Sequence, residues 1–154
     1  SRRSIRKYNK KEVETEKIMK IMEAARWSPS SQNSQPWKFF VMKTKGKEEA
    51  LKDAAYGQMF VGDCPIIILA CAYNMESRRC ETDVALSIQN LILEAHELGL
   101  GTCIIGHFDK EKVRNIFKIK EDLEIYYMIT LGYPEEKAVS KRKPIEEVCR
   151  FLVD

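Results

Sequence analysis

One stretch limits the architecture more than any other. Residues 81–98, ETDVALSIQNLILEAHEL, carry helical periodicity, with Val84, Ile88, Leu91, Ile92, Ala95 and Leu98 forming a broad apolar face. Ala85, Ser87 and Leu93 fall around it, so little of the middle of the helix is left for water. In a chain of 154 residues, about one domain's worth, burial that extensive points to a subunit interface.

The flanking segments fit one α+β domain spanning 1–154, with no internal repeat, low-complexity linker or boundary. Ile18, Ile21, Met22 and Ala25 predict a helix over 14–27, acidic early and ending in Arg26. WKFFVMK (37–43) reads as a strand, Glu48 to Ala55 as a short helix, and Tyr56 to Cys64 as a bridge into an apolar strand at 65–73. GLGTCIIG has the glycines of a dinucleotide loop in the wrong context. It follows a helix that Gly99 can cap, continues as a strand, and places its next glycine at Gly106, which breaks the Rossmann spacing. A helix over 109–117 takes Asp109 as its N-cap, and EIYYMITLGYP (124–134) is a strand ending in a turn. A short amphipathic tail, IEEVCRFLVD, closes the chain.

Charge and cysteine content exclude several function classes. Lysines alternate with glutamates, the net charge is only +3, and no basic stripe emerges, so nucleic acid is not an expected partner. The longest apolar run, CPIIILACA at 64–72, is far short of the roughly 20 residues of a membrane span, and no membrane association is expected. The charged start leads into polar residues, which predicts no secretory leader. Five cysteines without CxxC spacing, and two histidines apart from any cysteine cluster, read as reduced thiols in a cytoplasmic protein without a metal site.

Two polar features remain. Arg2, Arg3, Ser4 and Arg6 crowd one end of the chain, and Lys141, Arg142 and Lys143 stand near the other. If they converge they make a phosphate site, because guanidinium groups bind phosphate in bidentate fashion; apart, each is a solvated charge run. SPSSQNSQPW (28–37) lies between prolines that exclude a helix. Its side chains either bond the polar edge of a heterocycle or satisfy local backbone groups at a helix end.

Four motifs in order decide between these readings: RRSIRKY at 2–8, SPSSQNSQPWKF at 28–39, DVALSIQNLILEAHELGLGTCIIG at 83–106, and LGYPEE followed by KRKP within 131–144. Together they resemble the FMN-dependent nitroreductase family over nearly the whole chain, as a short member without long insertions. The resemblance implies a three-layer α+β sandwich, a mixed and mainly antiparallel sheet flanked by helices, forming a homodimer with FMN at the subunit interface. It assigns Arg2, Arg3, Ser4 and Arg6 to the FMN phosphate and ribityl chain, with Lys141 and Arg142 closing on the phosphate. Pro29, Ser30, Ser31 and Asn33 would reach the flavin from the other subunit. Cys103, Ile104, Ile105 and Gly106 would lie against the ring, and Gln58 near its pyrimidine edge. No catalytic acid, base or nucleophile is implied, and Cys103 reads as a small buried residue rather than a redox thiol. The implied activity is NADH or NADPH oxidation with transfer to a nitroaromatic, quinone or other electron-poor small molecule. Other flavin chemistry, or FMN storage or sensing without turnover, stays open.

Overall fold

The structure, a computed structural model, describes residues 1–73 and 79–152; residues 153 and 154 of the expected tail lie outside the described residues. After an extended N-terminal arm come α1 (Thr15–Arg26), a single 3-10 turn (Ser31–Asn33), β1 (Trp37–Lys43), α2 (Glu48–Ala54) and α3 (Phe60–Asp63). Then follow β2 (Ile66–Tyr73), α4 (Cys80–Glu97), β3 (Gly101–Ile105), α5 (Lys110–Phe117), β4 (Leu123–Gly132) and α6 (Ile145–Val148). The strands pair antiparallel in the order β1-β2-β4-β3, with the arm added beside β3 through a parallel bridge between Ser4 and Thr102.

Strand alternation builds a core on each side of this sheet. Ile67, Leu69 and Cys71 of β2 face Leu51, Val61 and Val113 from α2, α3 and α5. Ile66, Ile68, Ala70 and Ala72 face Ile21 and Ala25 of α1 and Val84, Ile88 and Leu91 of α4. Seven of the eight β2 residues are buried, and each buried Ile or Leu contributes roughly 1.5–3 kcal/mol. In β4 the register shifts opposite Ala70 and Cys71, so Leu123, Ile125 and Met128 share one core although the last breaks the alternation, while Ile129 and Leu131 enter the other. The extra residue is a β-bulge. The result is the three-layer α+β sandwich.

Local signals set most boundaries. The Asp109 side chain accepts from the N–H groups of Glu111 and Lys112, as the N-cap of α5 requires. Gly99 has φ +77° and follows α4, whose end is closed by Leu100 N–H donating to the Ala95 carbonyl. Two expectations change. The 56–64 bridge contains α3, and the proline-bracketed loop holds a 3-10 turn in which Gln32 takes φ 53°. A helix this short escapes periodicity, and three left-handed residues, Gln32, Asn33 and Gln35, let the chain turn between its prolines. Only one side of α4 is buried within the chain: Leu86 and Leu93 remain 43% and 48% exposed along an outward seam. Among the described residues, no helix is long and apolar enough to cross a membrane.

Candidate functional site

The N-terminal arm is fixed to β3. Ile5 N–H donates to the Thr102 carbonyl at 2.9 Å, and Ile5 is buried against Gly101, where a Cβ atom would lie 2.8 Å from its side chain. Further along, the Tyr8 hydroxyl bonds the Ile5 carbonyl and the Thr130 hydroxyl, both at 2.6 Å. The arm continues antiparallel to the segment after β4: Asn9 N–H donates to Tyr133 O, and Glu135 N–H to Lys7 O. The Glu136 carboxylate accepts from the backbone N–H groups of Arg6 and Lys7.

This pairing draws the two basic clusters together. Arg3 donates to the Ser140 carbonyl at 3.5 Å, and Arg142 donates to the Ser140 hydroxyl at 3.1 Å. Neither arginine forms an ion pair among the described residues, nor do Arg2, Arg6 and Lys141. Arg2 and Arg3 also line a cleft of about 300 Å³ with His96, Gly99, Thr102 and Lys137. Guanidinium groups without carboxylate partners match a phosphate dianion, which requires charged donors when taken from water.

Beside the arm run β3 and the turn that follows it. Burial pushes the Cys103 thiol up, while Arg6, the Ser4 hydroxyl and Arg2 pull it the other way. At 4% exposed, with its pKa raised, Cys103 is a packed thiol and not an activated one. Ile104 is 42% exposed and gives the end of β3 an apolar face, Ile105 is buried, and Gly106, in the turn, is exposed. The Gln58 amide donates to the carbonyls of Ala55 (3.1 Å) and His107 (3.0 Å), bracing this turn against the end of α2. The His107 ring packs on Tyr56 with centroids 4.6 Å apart, and Phe108 is buried.

Pro29, Ser30, Ser31 and Asn33 stand elsewhere. Their loop is tied to the start of α4, where the Asp83 carboxylate accepts from Ser31 N–H at 3.1 Å. The Ser30 hydroxyl accepts from Gln35 N–H, and the Asn33 carbonyl from the Gln35 amide. Asp83 and His96 are thirteen residues apart on one helix, about 20 Å at 1.5 Å per residue. Within one chain, therefore, the polar loop and the arginine cluster occupy opposite ends of α4, joined by the exposed seam that carries Leu86 and Leu93.

Sequence reasoning missed Asp83 and Ser140. Asp83 had a signal, a carboxylate on the apolar side of the helix next to Val84 and Ser87; Ser140 had none beyond its place before Lys141 and Arg142.

Comparison with known proteins bears on this arrangement. A sequence model of the Nitroreductase family matches residues 1–74 and 60–133. A Methanothermobacter thermautotrophicus protein provisionally named NADH dehydrogenase/NAD(P)H nitroreductase is 36% identical over 144 residues, covering 88% of this chain and 75% of its own. A Thermus thermophilus protein named NADH dehydrogenase is 29% identical, covering 96% and 90%. Among solved structures, a protein of Desulfovibrio desulfuricans provisionally called a nitroreductase, in complex with FMN, aligns with TM-score 0.87 at 27% identity, covering 99% of this chain and 92% of its own.

Proposed function

The chain belongs to the Nitroreductase family, and from that premise we propose that it is a homodimeric, FMN-dependent NAD(P)H oxidoreductase reducing nitroaromatic, quinone or similar electron-poor acceptors. The observation that carries the reading is the meeting of the two basic clusters at Ser140, 137 residues along the chain from Arg3. They offer guanidinium groups that have no ion pair among the described residues, on an arm beside β3, and a similar protein has been solved with FMN.

Arg2, Arg3, Ser4, Arg6, Lys141 and Arg142 would hold the phosphate and ribityl chain. The apolar face of Ile104 and the backbone through Gly106 would seat the ring, with Gln58 bracing that turn. Pro29, Ser30, Ser31 and Asn33 would close over the flavin of the second chain, since they stand at the far end of α4 from their own arginines.

When bound, FMN supplies hydride and electron transfer at its N5, alternately with NAD(P)H and with the acceptor, in a ping-pong sequence. The residues of the chain bind and orient. The cationic arm favours negative charge on the ring and phosphate alike. Burial raises the Cys103 thiol pKa, which disfavours the thiolate that a nucleophile needs.

The test is the visible spectrum after incubation with FMN and desalting, followed by NAD(P)H oxidation with a panel of acceptors. Flavin bands near one FMN per chain with acceptor-dependent turnover support the reading. Retained flavin without turnover indicates storage, sensing or other flavin chemistry, and a colourless folded dimer refutes FMN binding.

A further inference from the structure

Asp83 is an unexpected group for its surroundings. It is 2% exposed, on the fourth residue of α4, between residues that pack into the core. One oxygen accepts from Ser31 N–H at 3.1 Å. The other is buried without a hydrogen-bond partner among the described residues, as is the nearby loop's Ser34 hydroxyl. No cation pairs with Asp83 among the described residues. Desolvating a carboxyl that is only half satisfied is costly, so packing alone gives no reason for one here.

What it holds is a strained loop. Gln32, Asn33 and Gln35 have φ of 53°, 56° and 48°, the left-handed region that residues other than glycine seldom occupy. The Ser30–Gln35 and Gln35–Asn33 hydrogen bonds stay inside the loop. Among the described residues, the bond to Asp83 is the one that joins this stretch to α4. We infer that Asp83 is a positioning residue for the cofactor: it pins the strained loop to the interface helix and so presets Ser30, Ser31 and Asn33 for the flavin of the second chain, an assignment that rests on the FMN reading above.

The accepted bond gives two substitutions distinct meanings. In Asp83→Asn the amide oxygen still accepts from Ser31 N–H and the NH2 takes the unmatched position. In Asp83→Leu no acceptor remains. Apo protein titrated with FMN, followed by quenching of flavin fluorescence, reads the difference, with gel filtration checking the dimer. Asp83→Asn is expected to bind within about three-fold of the unaltered chain, and Asp83→Leu about ten-fold or more weakly with its dimer intact. Unaltered affinity in Asp83→Leu, or equal loss in both variants, overturns the assignment. If Asp83→Leu does not fold, amide hydrogen exchange at Ser31 in the unaltered chain and in Asp83→Asn decides: protection in both is expected, and free exchange overturns the anchor. An unaltered chain that takes up no FMN refutes the cofactor reading itself, whatever the variants do, while the exchange at Ser31 still reports on the anchor.

Discussion

Replacing Gly101 with alanine tests whether the N-terminal arm is built into the site or merely rests on it. The new Cβ would lie 2.8 Å from Cγ1 of Ile5, 2.9 Å from its Cβ and 3.0 Å from Cγ2. These atoms belong to the root of a β-branched side chain, with no flexible end to swing away. Reaching even a tight 3.4 Å contact requires the arm to retreat by about 0.6 Å. A retreat along the Ile5 N–H to Thr102 O bond stretches it from 2.9 Å to about 3.5 Å, the edge of hydrogen bonding. Overpacking costs about 1–3 kcal/mol and the weakened bond about another 1 kcal/mol. Together these lower Tm by roughly 5–12 °C for a domain of this size. FMN affinity should fall by about ten-fold or more, because Arg2, Ser4 and Arg6 move with the arm. Scanning calorimetry and FMN titration give both numbers. Gly106→Ala is the stability control, since its Cβ would meet only the Tyr127 ring at 3.6 Å, an ordinary contact. If Gly101→Ala leaves both Tm and FMN binding unchanged, the arm is not fixed against β3 and the reasoning fails.

Two further outcomes follow from the same packing. Leu93→Lys places a charge in the middle of the exposed α4 seam, and sedimentation should find a monomer that retains its fold but not FMN; a stable dimer would exclude that face as the interface. Burial pushes the thiols of Cys64 and Cys71 up to about 12, so the folded state favours the protonated form. Their stabilising contribution is full below the unfolded value near 8.5 and is lost as pH rises towards about 12. Urea midpoints measured from pH 7 to 11 should therefore fall above about pH 9 and fall less in Cys71→Ala; a flat profile would contradict the burial.

Much of the fold was legible because local chemistry fixed it. Gly99 and Asp109 marked helix ends through φ and capping, and both serve as expected. The apolar 65–73 run became a central strand buried on both faces. The bulge in β4 was not legible, because it arises from pairing with β2 rather than from any residue of its own. The loop at 28–37 was read as a polar element that its prolines keep from being helical, yet it holds a 3-10 turn; its left-handed residues are not glycines, and its partner Asp83 lies fifty-two residues away from Ser31, so neither was legible. The two basic clusters were visible as composition; that they meet at Ser140 is a product of the arm pairing with the segment after β4. The apolar excess of α4 pointed to an interface, and Leu86 and Leu93 give it an exposed seam.

The central claim is that each flavin site is shared between two chains, and subunit complementation tests it most directly. One chain carries Arg3→Ala with Arg142→Ala, the other Ser31→Ala with Asn33→Ala, and the two are refolded together in equal amounts. Each alone should dimerise and hold little FMN. In a shared-site dimer, random pairing puts half the chains into mixed dimers, each with one fully intact site and one doubly damaged, so bound FMN should recover to about one quarter of the unaltered level. No recovery on mixing, with mixed dimers demonstrated by differential tagging, would mean that each chain builds its site alone and would contradict the account.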